Sequence, residues 1–365
     1  MANNSMVSAL TACLVLCGTL AASQPAGDKG IRERHANRPS LLVIDLENGV
    51  ERRFFHTLYQ IGGKILYRGG ASLSHFPISE LKFPLDVFMI YADLGFTFFD
   101  RFTLHYAVRK NLNERVGKME DSDWVPYAGI KTIYSESDTR LNAVFTDADL
   151  TARLFTVSFF TLRMGAGFTH QYLDYRCSNV EQVSVYTTVS PYIGPPEVIR
   201  IPGRILTYTI NYYIFTLQVT PVFTARFGGG SLDITAAIRF SPYLRGFDVD
   251  DHILRAKRSK GDCRGTAFMP ILKLRYLFSN RIFITATLDY LQISAKGKQN
   301  QSYYLPVSEA NGIPGWSARV DQRQKSRQLT VGLGAGYSFP IPGGGSLNNP
   351  SGGGVTGDSA PRVSP

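Results

Sequence analysis

Apolar and polar residues alternate with period two along most of this chain, and no other feature restricts its fold so strongly. In "QLTVGLGAGYSF", Leu329, Val331, Leu333, Ala335, Tyr337 and Phe339 share one face, while Thr330, Gly332, Gly334, Gly336 and Ser338 share the other. "RIFITATLDY" sets Ile282, Ile284, Ala286, Leu288 and Tyr290 against Phe283, Thr285, Thr287 and Asp289. "LDITAAIRF" sets Leu232, Ile234, Ala236, Ile238 and Phe240 against Asp233, Thr235, Ala237 and Arg239. "FTLHYAVR" repeats the pattern from Phe102 to Arg109. Side chains of a strand point alternately to its two faces, so each segment presents one apolar face. No helix-period segment and no repeat at solenoid spacing interrupts this.

The alternation predicts ten strands, at about 52–68, 79–98, 102–115, 138–153, 159–176, 204–224, 231–249, 263–278, 281–298 and 326–339. Short connectors ("FDRF" at 99–102, one near Phe155, "FGGGS" at 227–231, "SNR" at 279–281) follow the even-numbered strands. Longer ones, such as 178–203 and 299–325, follow the odd-numbered strands. An even strand count with short periplasmic turns and long extracellular loops is the build of an outer-membrane barrel. Phe98, Phe99, Phe102, Phe155, Phe159, Phe160, Phe278 and Phe283 gather near the short turns, as an interfacial aromatic girdle requires. The expected fold is therefore all-β, a transmembrane antiparallel β-barrel of about ten strands with long extracellular loops. Several strands exceed the about 9–11 residues that cross hydrocarbon, so the barrel should project outward.

The ends are different in kind. Residues 1–23 read as a secretory signal, with an apolar run from Val7 to Leu20 and small residues before Gln24. Residues 24–50 read as a loosely ordered N-terminal segment, 51–339 as the barrel, and 340–365 as a disordered tail rich in Gly, Pro and Ser. Removal of the signal takes Cys13 and Cys17 with it and leaves Cys177 and Cys263 as candidates for one disulfide in an exported chain. The chain carries a formal charge of +10. In an exported barrel, the first polyanion such charge meets is membrane lipid, so no nucleic-acid partner is expected.

Strand parity carries two acidic clusters to the extracellular rim: "MEDSDW" at the end of the third strand and "DVDDH" at the end of the seventh. Spacing of two puts Asp121 and Asp123 on one face, and Asp248, Asp250 and His252 on another. Asp250 beside His252 suits an oriented imidazole, and a facing carboxylate pair suits a held water, an arrangement for general-base attack on a peptide carbonyl. Such a negative lining would also attract cationic substrates. The same aspartates also fit solvated loops of a non-catalytic barrel, a narrow porin or a surface-binding protein. A metal is not expected, because calcium needs about six to eight oxygens and zinc is poorly served by one histidine without cysteines. His105 and His170, in mid-strand, are expected to bond within the lumen. The glycines of "GLGAGYSF" are expected to pack inside the barrel rather than cradle a nucleotide.

From about residue 60 to 339 the sequence resembles the omptin family of ten-stranded outer-membrane proteases. "EDSDW" (120–124) and "DVDDH" (248–252) carry the resemblance, together with "ISELKF" (78–83), "SESDTRLN" (135–142) and "MGAGFTHQYLDY" (164–175). It implies catalytic roles for Asp121, Asp123, Asp250 and His252, and a substrate-binding role for Asp248. It further implies an aspartic-type endopeptidase at the bacterial cell surface, cutting between or beside basic residues. No cofactor is expected beyond lipopolysaccharide as an activating lipid. The expected partners are outer-membrane lipid and a peptide or protein substrate, with the protein acting as a monomer.

Overall fold

The computed structural model describes residues 40–66, 72–124, 130–184, 198–305 and 317–342. Twelve strands fill these residues: β1 (Ser40–Leu66), β2 (Ser72–Pro84), β3 (Val87–Phe98), β4 (Phe102–Asn111), β5 (Arg115–Trp124), β6 (Lys131–Val157), β7 (Phe160–Ser184), β8 (Val198–Phe227), β9 (Gly230–His252), β10 (Lys257–Phe278), β11 (Ile282–Tyr303) and β12 (Ser317–Pro342). β2 continues into β3, and β4 into β5, so the twelve make ten antiparallel staves. β1 pairs with β12 from Ser40↔Pro342 to Gly62↔Asp321 and closes the ring. With no edge left open, the wall satisfies its own backbone hydrogen bonds, which hydrocarbon demands.

The ten expected strands are all present, and most run further than expected. β1 starts at Ser40, so residues 40–50, expected to be loosely ordered, are barrel wall. Asp45 and Glu47, which made this stretch look polar, face inward and pair with Arg275 at 3.0 Å and Lys273 at 2.9 Å. The signal and most of the tail lie outside the described residues. The connector after the seventh stave is not long: His252 leads straight into a three-residue 3-10 turn, Ile253–Arg255, and Ala256 returns the chain with φ 47°.

The lower halves of the staves carry the apolar belt on the outside. Leu104, Leu150, Leu217, Ile238, Phe240, Ile284, Leu288, Val331 and Leu333 are all exposed, as lipid-facing residues are. Phe98, Phe99, Phe102, Phe155, Phe159 and Phe278 rim the belt at the short turns. Phe283 does not belong with them: it is buried on the inner face, against Gly336 and under the Arg275 guanidinium at 4.2 Å. A Cβ at Gly336 would lie 2.3 Å from the Phe283 ring, and one at Gly334 2.2 Å from the Tyr91 hydroxyl. The inward glycines of β12 thus give lumen side chains their space.

Inside, the barrel is filled in two storeys. The lower storey is ionic: Arg53 and Arg109 hold Glu51 at 2.8 and 3.0 Å, Arg109 also holds Asp147, and Arg239 holds Asp149 at 2.9 Å. His105 joins it through Asp93 at 2.8 Å, as expected. His170 does not, because Thr169 and Gln171 take the inner face; it sits outside, bonded to Asn211 and stacked on Tyr213. A cavity of about 120 Å³ remains among these charges. The upper storey is apolar, with Phe83 stacked on Tyr208 at 4.6 Å and flanked by Tyr175, Tyr59, Leu81, Met119 and Phe145. Each large side chain buried there contributes roughly 1.5–3 kcal/mol. This aromatic layer is the floor on which the acidic clusters stand.

Two bulges decide which way those clusters point. In β9, Arg239 and Ser241 face inward, and strict alternation would carry Asp248, Asp250 and His252 outward with Ile238 and Phe240. Instead Pro242 and Tyr243 both face out, and Leu244, Gly246, Asp248 and Asp250 turn in. The register confirms one extra residue in β9 against both neighbours: Ser241↔Ala267 is followed by Leu244↔Gly265, and Phe240↔Leu217 by Tyr243↔Phe215. Proline has no N–H to lose from the ladder at such a point. In β5, Val116 and Met119 are both buried although three residues apart, and Gly117 between them has φ 107°. That conformation suits glycine, and it sets Asp121 and Asp123 inward.

Deletion of Pro242 should therefore leave a folded barrel whose upper β9 presents the wrong face. We expect intact heat-modifiable gel mobility with loss of Asp248, Asp250 and His252 from the lumen, read as exposure of a cysteine placed at position 250 to a membrane-impermeant thiol reagent from the outer side wall.

Candidate functional site

The rim of the barrel brings together every acidic residue and the histidine that the sequence singled out. Asp121 and Asp123 come from β5, and Asp248, Asp250 and His252 from β9, four staves away and so almost opposite in a ring of ten. Between β5 and β9 the ring carries β6, β7 and β8, whose inner aromatics hold the two walls apart.

His252 Nε2 lies 3.2 Å from Asp250 Oδ2. The imidazole and Asp123 are partly open to solvent, at 18% and 19%, while Asp250 is 2% exposed beneath them. Asp250 Oδ2 also accepts from the Tyr59 hydroxyl at 3.3 Å, and Tyr59 in turn is bonded to Gln299. Burial makes this tyrosine hold its proton far above the ordinary range, and that one proton is shared between Asp250 and the nearer amide oxygen of Gln299. The arrangement holds Asp250 from below and fixes the ring that it orients. Asp251, on the other face, is taken up by Arg258 at 2.6 Å and Tyr304 at 3.2 Å, outside the site.

Across the mouth, Arg255 of the 3-10 turn extends a guanidinium to 3.9 Å from Asp123 Oδ2. Asp121 lies deeper. Burial, then repulsion from Asp123 and Asp250, pushes its carboxyl up to about 8 against the opposing pull of Arg255 and Lys257. One Asp121 oxygen and one Asp250 oxygen are buried without a partner, which is unusual in a folded interior and typical of groups kept for a reacting molecule.

Asp248 sits one step below the dyad and is buried. Its Oδ1 accepts from Gln322 at 2.8 Å and from Gln324 at 2.6 Å, and its Oδ2 accepts from Gln322 at 2.8 Å. Burial pushes this carboxyl up to about 7, with Asp250 adding to it and the two amides opposing. Tyr59, Gln299, Gln322, Gln324 and Arg255 were not singled out by the sequence. They come from strands remote in the chain, and only inner-face alternation in β1, β11 and β12 could have pointed to the first four.

The cysteine expectation fails. Cys177 and Cys263 are both buried free thiols. They stand on β7 and β10 with β8 and β9 between, and three inter-strand steps of ~4.8 Å exceed the ~7 Å Cα separation that a disulfide allows. Cys177 instead lies 3.8 Å from the Thr139 hydroxyl, and burial pushes its thiol up to about 12.

A family model described as the Omptin family matches residues 71–339. No curated protein matches the chain. Among solved structures, the outer-membrane protease OmpT from Escherichia coli is similar at TM-score 0.65 and 16% identity, covering 82% of this chain and 97% of that one. The translocator domain of the autotransporter NalP from Neisseria meningitidis covers 92% of this chain and 98% of its own, at TM-score 0.32 and 10% identity.

Because Asp121 binds its proton more tightly folded than unfolded, its ionisation should cost stability as pH rises from about 4 to about 8. Asp121→Asn should remove that slope, at most about 1.4 kcal/mol per pH unit, so the variant gains on the wild type across this window. Urea unfolding in lipid bilayers at several pH values measures it; parallel curves would contradict the buried, repelled carboxyl.

Proposed function

As the chain belongs to the omptin family and resides in the bacterial outer membrane, we propose that it is a cell-surface endopeptidase of the aspartic type, hydrolysing peptide bonds at the outer mouth of the barrel. The observation that carries this reading is the pairing of His252 with the buried Asp250 in a mouth also lined by Asp121 and Asp123.

In this reading Asp250 holds Nε2 of His252, which leaves Nδ1 to take a proton from water. Asp123 and Asp121 position that water and the substrate from the opposite wall. The water oxygen attacks the peptide carbonyl carbon, and the proton goes to His252. Asp121, protonated at neutral pH, donates to the carbonyl oxygen as charge develops there. When the C–N bond breaks, His252 returns its proton to the leaving amine, and the hydroxyl that Asp121 protonated gives its proton back to Asp121 as the carboxyl product forms. Asp248 contacts the substrate chain beside the scissile bond.

A porin is disfavoured because the ion-paired lower storey and the aromatic floor occupy the lumen where a channel would run. The acidic mouth of a surface-binding protein would not need the oriented imidazole.

Lipopolysaccharide belongs to the same proposal. Arg264, Lys296 and Arg323 register side by side on β10, β11 and β12, next to Arg245 of β9, which is itself paired with Asp262 at 2.8 Å. They form an outward row about four residues above Phe268 of the lipid-facing belt. Cations at that height meet the phosphates of anionic lipid, each contributing roughly 1 kcal/mol.

Refolded protein assayed on a panel of fluorogenic peptides tests the chemistry. His252→Ala should lower kcat/KM by about 10²-fold or more with little change in KM; cleavage equal to wild type would remove the reading. The lipid role has its own measurement: Arg264→Ala with Lys296→Ala should raise the lipopolysaccharide concentration for half-maximal activity roughly tenfold or more.

A further inference from the structure

The outer mouth of the barrel is acidic, and the opposite end carries the reverse charge. Within a few residues of the short turns or of the start of β1 stand Arg101, Arg153, Arg163, Arg226, Arg275 and Arg281, against Asp45, Asp100 and Asp233. No lysine is among them. Arginine presents a planar fork that matches carboxylate and phosphate, where lysine offers only a point charge. The turns at this end, 99–101, 158–159, 228–229 and 279–281, are two or three residues long. A residue spans at most about 3.6 Å, so none of these turns can lie across a ring of ten staves. Water reaches this end of the lumen: the Arg275 and Asp45 side chains are 23% and 29% exposed.

Two of the arginines oppose each other directly, Arg153 of β6 being the register partner of Arg163 of β7. Arg163 faces the lumen with Thr169 and Gln171, and its Nη1 reaches past β6 to donate to the Thr103 hydroxyl of β4 at 2.8 Å. Arg153 shares the face of the buried Thr151, while Leu154 and Phe155, where the register slips, are both exposed to lipid. Like charges directly opposite each other on paired strands are destabilising. The nearby acids are already engaged: Asp45 is taken by Arg275 at 3.0 Å, and Asp233 accepts from Thr224 at 2.6 Å. Among the described residues, neither Arg153 nor Arg163 stands within ion-pair distance of a carboxylate.

The fork of Arg163 points the same way. Elsewhere in this molecule the guanidinium edge made by Nε and Nη2 takes a carboxylate, as Arg52 takes Asp86 and Arg245 takes Asp262. At Arg163 that edge has no acceptor among the described residues: Nη1 serves Thr103, and Nε is buried without a partner. A charged donor left bare in this way is costly, and native structures seldom keep one without a use.

We propose that the Arg153–Arg163 pair is a binding site for a small oxyanion, of phosphate or carboxylate type, drawn into the lumen from the periplasm. The anion lies between the opposed guanidinium groups and neutralises both. Arg163 is half-buried rather than sealed, and a small turn of its head gives Nε the acceptor it lacks. The arginines around the turns raise the local concentration of anions at this mouth. The site lies at the far end of the barrel from His252 and does not depend on the endopeptidase reading.

Phosphate binding tests it. The full chain, refolded in dodecyl maltoside, which carries no phosphate, is titrated with inorganic phosphate at an ionic strength held constant with chloride. Binding is read from broadening of the phosphorus resonance, and acetate is tested as a competitor. Phosphate should bind saturably and acetate should displace it. Arg153→Gln and Arg163→Gln should each raise Kd about tenfold or more, whereas Arg101→Gln, which removes the same charge from an exposed turn, should change it less than about twofold. Heat-modifiable gel mobility checks the barrel in each variant, and Arg153→Gln decides alone if Arg163→Gln does not refold. Phosphatidylglycerol added to the micelles separates a free anion from a lipid headgroup, and phosphate should stay bound in its presence. No saturable binding, binding untouched by Arg153→Gln, equal weakening by Arg101→Gln, or displacement of phosphate by the lipid overturns the proposal.

Discussion

Everything in this molecule depends on the pairing of β1 with β12. A sheet of this length in hydrocarbon cannot leave an edge unpaired, because each bare N–H or C=O there costs several kcal/mol. The twenty-odd residue pairs between Ser40↔Pro342 and Gly62↔Asp321 remove both edges at once. Closure also creates the interior in which ionisable groups are held close enough to perturb one another. Without it, Asp121 and Asp250 would be ordinary surface carboxylates on two unrelated strands.

The interior then has to be filled, and it is filled differently at two heights. Near the membrane, Glu47, Asp147 and Asp149 are matched by Lys273, Arg109 and Arg239 from other staves, and Glu51 by Arg109 as well as by Arg53 of its own strand. The bridges between staves tie separate strands together, and breaking one partner leaves the other buried and uncompensated. Above, the aromatic layer around Phe83, Tyr175 and Tyr208 is held by ring-on-ring packing. The rim therefore rests on an apolar, close-packed base, which lowers the local dielectric around Asp121 and Asp248.

Most of this architecture was legible in the residues. Alternation gave ten staves and the lipid-facing side of segments such as Gln328–Phe339, and the two D-x-D clusters lie at the ends of β5 and β9 away from the short turns. What escaped reading was anything set by contact between distant strands. Asp45 and Glu47 look like loop residues until Arg275 and Lys273 arrive opposite them. Cys177 and Cys263 look like a pair until β8 and β9 are seen to stand between them. The inward direction of Asp248, Asp250 and His252 depends on an extra residue at Pro242–Tyr243 that alternation alone would not reveal, since nothing local distinguishes a bulge from a pair of outward side chains. Gln322 and Gln324 carry no motif at all; their importance comes from what they touch.

The bulges in β9 and β5 have a consequence for how such a barrel can change. They act as phase shifts, separating a lower inside–outside code answerable to lipid from an upper one answerable to the rim. Below Ser241 a substitution is judged by the bilayer, while beyond Leu244 it is judged by whatever reaches the mouth. The crown of the molecule can thus be rewritten, or exchanged with that of another ten-stave barrel, without disturbing the register that keeps the base in the membrane.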